Sequence, residues 1–349
     1  MKAIKSKAWL YVASMLAVAV ACMIYYYLFS AFSRVPSTTY IFIDDDDSQD
    51  SVFAKLSVIG TSHGLAGFHA LARHSSYAEH VRPGRYGISP GECTFNVFRH
   101  LKNGMQSPVS LTIPEARTVE KLAATLSRKL MADSATIVAC LKDSAVCARL
   151  GYDTATIAAL FIPNTYDVYW NISVEQLLER MLRENKQFWK ADNRQQLAND
   201  LGLSPTEVTT LASIIDEETA NNAEKPMIAG MYLNRLNFRS AEYPDGMPLQ
   251  ADPTVKYAVR DFTLRRIYHK LLFTDSPYNT YKYPGLPPGP IKIASIAGID
   301  AVLHCTKHDY LYMCAKEDFS GKHNFAKTYS EHLKNAARYS KALNERGIK

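Results

Sequence analysis

Three acids in succession close an apolar stretch, Leu211-Ala-Ser-Ile-Ile-Asp-Glu-Glu-Thr219, and their spacing decides which of them could do chemistry. Ser204-Pro205-Thr206-Glu207 reads as a capping box with proline at the first helical position, so a helix begins there. Val208, Leu211, Ala212 and Ile215 recur at helical spacing. Glu218 lies three, four and seven positions after Ile215, Ile214 and Leu211, which makes those its side-chain neighbours. Asp216 projects from the other edge of the stripe, and Glu217 points roughly opposite to it. A carboxyl flanked by hydrocarbon keeps its proton toward neutral pH, and that is the state a general acid needs. The plainer reading is a solvated acidic run at a helix end, since charged side chains are mostly exposed.

The elements around this helix follow from pattern. Tyr40-Ile-Phe-Ile43 is strand-like, and residues 50–56 read as a first helix. Residues 81–88 read as turn and strand, 95–104 as a helix with a glycine C-cap, and 109–113 as a closing strand. Together they make a small α+β unit. Helices are expected over 118–130, 136–150 and 174–191, and Asp252-Pro253 reads as N-cap and first position of another. Tyr310–Ala315 is predicted to pair with Lys322–Ala326 across the turn Asp318–Gly321. The aromatic run Leu160–Trp170 reads as core before it reads as a ligand surface.

Further motifs stand in order after the helix. They are Asn234-Arg235-Leu236, Leu249-Gln-Ala-Asp-Pro-Thr-Val255, Asn279-Thr280-Tyr281, Gly285-Leu-Pro-Pro-Gly-Pro-Ile291, and His323-Asn-Phe325 with Thr328 and Glu331-His332. This series resembles the YceG-like family, the endolytic murein transglycosylases. The departures are Asp216 where the family often has glutamate and Glu217 where it often has lysine. The resemblance therefore places the family's catalytic glutamate on Glu218.

What the resemblance implies is cleavage of the β-1,4 bond between N-acetylmuramic acid and N-acetylglucosamine in nascent glycan strands. The muramoyl C6 hydroxyl attacks in place of water and leaves 1,6-anhydro ends, which terminates chain elongation. Glu218 would first give a proton to the leaving oxygen and then accept one. The expected substrate-binding residues are Asn234, Arg235, Gln250, Asp252, Thr254, Asn279 and Tyr281. Asn234 and Gln250 would hold acetamido groups or orient Glu218, or serve as structural hydrogen-bonding groups. Arg235 would meet a lactyl or peptide carboxylate, or pair with Glu218 or Asp216. For Asp252, an N-cap is favoured over a second carboxylate. His323 and His332 have no nucleophile signature beside them and read as structural.

The expected architecture is α+β. Residues 1–7 form a cytoplasmic tail, 8–33 a transmembrane helix, 40–115 a LysM-like subdomain, 116–190 a helical connecting region and 191–349 the catalytic domain. The LysM-like unit would bind glycan or serve as a structural spacer with no sugar site, since it carries no obvious aromatic shelf beyond Tyr86. From Ala8 to Phe32 the chain carries no formal charge, long enough to cross a bilayer. Lys2, Lys5 and Lys7 precede it and Asp44–Asp47 follow, which puts the N-terminus in the cytoplasm and the rest outside. The run is long for a cleaved signal, Ser30-Ala-Phe-Ser33 is a poor cleavage site, and the residues after Cys22 are too greasy for a lipoprotein signal. The expected location is the cell inner membrane, single-pass, with glycan strands as substrate. The resemblance adds penicillin-binding proteins and other cell-wall synthesis proteins as partners.

Composition narrows the alternatives. The net charge of +6 over 349 residues forms no basic stripe, so nucleic acid is not implied. The six cysteines include one in the apolar run, and the spacings 140/147 and 305/314 would allow disulfides outside the cytoplasm. No Cys-x-x-Cys or zinc-like spacing occurs, so neither metal nor cofactor is expected. Two rivals remain. One is a water-using muramidase with Asp252 or Asp216 as second carboxylate. The other is a membrane-anchored glycan-binding scaffold in which Glu218 is only structural.

Overall fold

The computed structural model describes residues 2–264 and 267–346, with side chains from residue 8 onward. The side chains of the expected tail, 1–7, lie outside the described residues. The chain divides into two compact units. The first comprises residues 1–111, 129–132 and 167–172; the second comprises 112–128, 133–166 and 173–349. Most of the expected connecting region thus falls within the second unit.

The first unit starts with α1 (Lys2–Ile24), which continues through Tyr25–Phe29 as a π-helix. The stretch Ala8–Phe29 has a mean hydropathy of 2.0, and none of it is buried in the chain. By length and composition it can cross a membrane. The apolar helix stops at Phe29, four residues short of the expected boundary, because Phe32 and Ser33 belong to the folded unit. The Phe32 N–H donates to the Glu92 carbonyl, and the Phe32 carbonyl accepts from Thr61.

Strand β1 (Thr39–Ile43), helices α2 (Gln49–Ser57) and α3 (Ser62–His74), strand β2 (Gly84–Ile88), α4 (Thr94–Asn103) and β3 (Val109–Thr112) follow. Strands β1 and β2 pair antiparallel with Thr39 opposite Ile88 and Ile43 opposite Gly84. Their alternation sends Ile41, Ile43, Tyr86 and Ile88 inward onto Phe32, Phe68, Val97 and Leu101. Tyr86 therefore belongs to the core, with its hydroxyl on the Arg82 carbonyl, and is not a sugar shelf. Gly67 on α3 lets the Tyr27 backbone approach closely: an added Cβ would meet the Tyr27 oxygen at 2.1 Å. Helix α3 has no signal among the expected elements, because its small residues blur the apolar stripe.

The second unit holds α5 (Val119–Leu126), α6 (Ser134–Lys142), α7 (Ser144–Arg149), the first half of β4 (Thr165–Val168), α8 (Val174–Lys190) and α9 (Arg194–Asp200). The helix expected over 136–150 is two, because the Asp143 side chain caps a new start by accepting from Ala145 and Val146. Then come α10 (Pro205–Glu218), α11 (Lys225–Asn237), α12 (Asp252–Ala258), α13 (Ile296–Leu303), β5 (Tyr312–Ala315), β6 (His323–Ala326) and α14 (Tyr329–Glu345). The paired strands β5 and β6 have the expected antiparallel form, with Ala315 opposite His323. Phe161 and Tyr166 of the aromatic run are core. All six cysteines are free.

Helix α10 is the centre of this unit. Its capping box forms as expected, with Glu207 N–H on Ser204 Oγ and Ser204 N–H on Glu207 Oε2. Every residue from Val208 to Ile215 is buried, so the helix is enclosed on all sides. Its hydroxyls are satisfied internally: Thr209 and Thr210 donate to the carbonyls of Pro205 and Thr206, each at 2.8 Å. Ser213 Oγ accepts the Ile291 N–H at 3.0 Å, which ties the helix to the proline-glycine loop.

One turn on, Asp216 is almost fully buried and meets Lys225 Nζ at 2.6 Å, itself only 6% exposed. The same carboxylate accepts the N–H and hydroxyl of Ser295, the N-cap of α13. Gly298 makes room for it, since an added Cβ would lie 2.5 Å from Asp216 Oδ1. This ion pair thus locks α10, α11 and α13 together. A lone buried charge is costly, so Lys225→Met is expected to lower stability by about 3–5 kcal/mol. Adding Asp216→Leu should recover much of that loss, and denaturant midpoints of the detergent-solubilised chain measure both.

Candidate active site

The three consecutive acids go to three different fates. Asp216 is spent on Lys225 and Ser295, which removes it as a second carboxylate. Glu217 accepts a forked pair from Arg117, with Nη2 at 2.7 Å, so it is a structural anchor. Glu218, the last residue of α10, turns into a hollow of about 240 Å³. A larger hollow of about 430 Å³, lined by Tyr152, Asn185, Lys186 and Trp189 among others, has no carboxylate or imidazole on its wall.

Glu218 is half-buried as a residue, yet its carboxyl lies deep. Desolvation raises its pKa from the ordinary 4.5 to about 7. The charge of Asp252 pushes the same way; the Tyr232 hydroxyl and the charges of His323 and Lys256 oppose it. The Tyr232 hydroxyl donates to Glu218 Oε1 at 2.8 Å, and Tyr232 itself is 1% exposed. Burial and the neighbouring carboxylate hold the Tyr232 phenol far above its usual range, so it stays a donor.

Asp252 is the first residue of α12 rather than its cap. Ala251 takes the cap position because its N–H donates to Thr280 Oγ1 at 3.0 Å and its carbonyl accepts from Thr254 Oγ1 at 2.7 Å. The Asp252 carboxylate is left free of the helix, accepts the Tyr281 hydroxyl at 2.6 Å and lines the hollow with Glu218. Gln250 lies on the same wall with φ of 52°, a left-handed backbone uncommon outside glycine. Its N–H donates to the Thr280 carbonyl, and its Oε1 accepts from Arg235.

Arg235 also reaches the hollow but pairs with neither Glu218 nor Asp216. Its guanidinium donates to the carbonyls of Leu311, Pro248 and Leu249 at 2.6, 3.1 and 2.8 Å. Five of the eight expected site residues therefore converge: Glu218, Arg235, Gln250, Asp252 and Tyr281. The other three brace the walls. Asn234 donates to the carbonyls of His308 and Tyr310, Asn279 to those of Leu272 and Thr274, and Thr254 is fully buried against Thr280.

Among the lining residues that were not expected, Tyr232 and His323 bear on the chemistry. Tyr232 carries no motif signal, although it precedes Arg235 by three positions and so shares its helix face. His323, read as structural, lines the hollow at the start of β6. His332 does not reach it; its ring stacks on Tyr312. Chemically, the hollow joins a carboxyl that holds its proton near neutrality, a second carboxylate beside it and two phenol donors.

The linkage sign fixes two expectations. A raised folded pKa contributes stability that is complete below the ordinary value of 4.5 and lost as pH rises through about 7. Glu218→Gln abolishes that loss, so the variant should gain stability over the parent across this window, by about 3 kcal/mol at most. Thermal melts from pH 4 to 8 measure it. Tyr232→Phe removes a bond that favours the carboxylate, so the Glu218 pKa should climb further. Any activity that needs the acid form should then persist to higher pH in Tyr232→Phe, read from the alkaline limb of kcat/KM.

The chain is 29% identical over 317 residues to the endolytic murein transglycosylase of Bacillus subtilis, covering 86% of this chain and 85% of that one. It is 27% identical over 318 residues to the endolytic murein transglycosylase of Streptococcus pneumoniae R6 and spans about half of that relative, 54%. The crystal structure of a YceG-like protein from Listeria monocytogenes superposes with a TM-score of 0.53 at 27% identity, covering 85% of this chain and 98% of that one. The model of the YceG-like family matches residues 41–338, and the chain belongs to that family.

Proposed function

We propose that this chain is an endolytic lytic transglycosylase of peptidoglycan, with Glu218 as the proton donor. The observation that carries the reading is the deep Glu218 carboxyl, held by Tyr232 and raised to about 7, in a hollow shared with Asp252. Near neutral pH Glu218 gives its proton to the glycosidic oxygen as the bond to the muramoyl C1 breaks. The sugar carbon becomes positively charged, and the Asp252 carboxylate stabilises that charge while Tyr281 fixes its position. The muramoyl C6 hydroxyl then closes on C1, and the proton it sheds restores Glu218 to its acid form. The cycle consumes no water.

The membrane-anchored topology belongs to the same reading. The apolar helix Ala8–Phe29 would place the two units on the periplasmic side of the inner membrane, where new strands emerge beside the synthesis proteins. The strand–helix–helix–strand order of the first unit is compatible with a LysM-like module. The second unit would be the catalytic domain.

One specific observation favours a second reading. Asp252 is free of the helix cap, so it could activate water, as in a muramidase. Digestion of sacculi with the purified chain, followed by mass spectrometry, separates the two: anhydromuramoyl ends support the transglycosylase, reducing ends the muramidase. Glu218→Gln should lower cleavage at least about 100-fold, the scale of a lost general acid. Retained cleavage by a folded Glu218→Gln variant would remove Glu218 as the proton donor, and no cleavage by the folded parent would leave the protein a glycan-binding scaffold. Asp252→Asn should slow the reaction while leaving the ends anhydro.

A further inference from the structure

The proton shed by the attacking hydroxyl needs an acceptor, and a second ionisable pair, Glu224 and His323, reaches the hollow that Glu218 lines. Glu224, 9% exposed, stands six residues after Glu218, just before α11. Both of its carboxylate oxygens are turned onto one residue: Oε1 accepts the His323 backbone N–H at 2.7 Å, and Oε2 meets His323 Nδ1 at 2.9 Å. A carboxylate can only accept, so Nδ1 carries the hydrogen, and in the neutral ring Nε2 holds the lone pair. The His323 ring is on the wall of the hollow, near enough for its charge to act on Glu218. Among the described residues, Nε2 has no hydrogen-bond partner, and it is not sealed from solvent. A purely structural tie between Glu224 and β6 would be served by the backbone N–H alone.

We infer that the Glu224–His323 dyad is a proton relay of this site. The inference rests on the transglycosylase reading. As the C6 oxygen bonds to C1, Nε2 takes the hydroxyl hydrogen, and Glu224 stabilises the imidazolium that forms. The imidazolium then passes that proton to the Glu218 carboxylate. One C–O bond breaks and one forms, one proton leaves Glu218 and one returns, and both residues end as they began. The relay relieves Glu218 of having to face both the departing oxygen and the attacking one.

The test is a sacculus digest with four forms of the full chain, parent, Glu218→Gln, His323→Gln and His323→Ala, with melting temperatures for each. His323→Gln keeps the backbone tie and a side-chain donor for Glu224 but cannot relay. It is expected to melt like the parent, to turn over about 100-fold more slowly, and to release a rising share of reducing ends as water intercepts the stalled sugar. External imidazole should restore part of the rate and the anhydro ends in His323→Ala. Activity of His323→Gln within about threefold of the parent, with anhydro ends only, would overturn the relay. So would a loss in His323→Ala that imidazole leaves untouched and that tracks a fall in melting temperature. If Glu218→Gln is inactive while both His323 variants work normally, only the relay falls. If the parent cleaves nothing, the transglycosylase reading falls and the relay with it.

Discussion

One carboxyl group, withdrawn from water at the end of an enclosed helix, sets the terms for the whole second unit. Glu218 can stay deep only because α10 is wrapped on every side from Val208 to Ile215 and its last turn is held still. Moving a carboxylate out of water is costly, and the cost appears as a pKa of about 7 rather than as an unfolded helix end. The Tyr232 bond recovers part of that cost and ties down Oε1. Everything chemically useful about the site follows from that compromise between burial and one phenol.

The neighbouring acids show how such a compromise is made to last. Asp216 and Glu217 adjoin Glu218 in sequence, yet each is neutralised by its own cation, Lys225 and Arg117. Their negative charge is thereby kept from Glu218, whose pKa it would drive higher still. Asp252 is the exception: its partner is a neutral phenol, so its charge remains and raises the Glu218 proton affinity. The loop motifs serve the same end. Arg235 gathers the carbonyls of residues 248, 249 and 311, and Thr254 with Thr280 holds the turn that aims Asp252 into the hollow.

Much of this was legible in the residues. The capping box at Ser204, the period of α10 and the turn between β5 and β6 follow local rules that tertiary structure did not override. The placing of Glu218 among aliphatic neighbours rested on the same periodicity. What local rules could not reach was competition between partners. Asp252 before proline looks like an N-cap, but Thr280 captures the preceding backbone and shifts the helix start by one residue. Tyr86 looks like a surface aromatic, but the alternation of β2 turns it inward. Asn234 and Asn279 look like ligand-facing amides, but backbone carbonyls claim them first, those of His308 and Tyr310 for Asn234 and those of Leu272 and Thr274 for Asn279. His323 lies 105 positions after Glu218, so only the folded chain brings the two to one wall.

The central claim is that Glu218 carries a proton near neutrality, and nuclear magnetic resonance can observe it directly. With ¹³C at glutamate carboxyl positions, the signal missing from Glu218→Gln identifies the residue, and its shift is followed against pH. The account predicts a midpoint close to about 7, well away from the other glutamates. A midpoint near the ordinary 4.5 would mean that the carboxyl is solvated and ionised at working pH, and the acid role assigned to it would be contradicted.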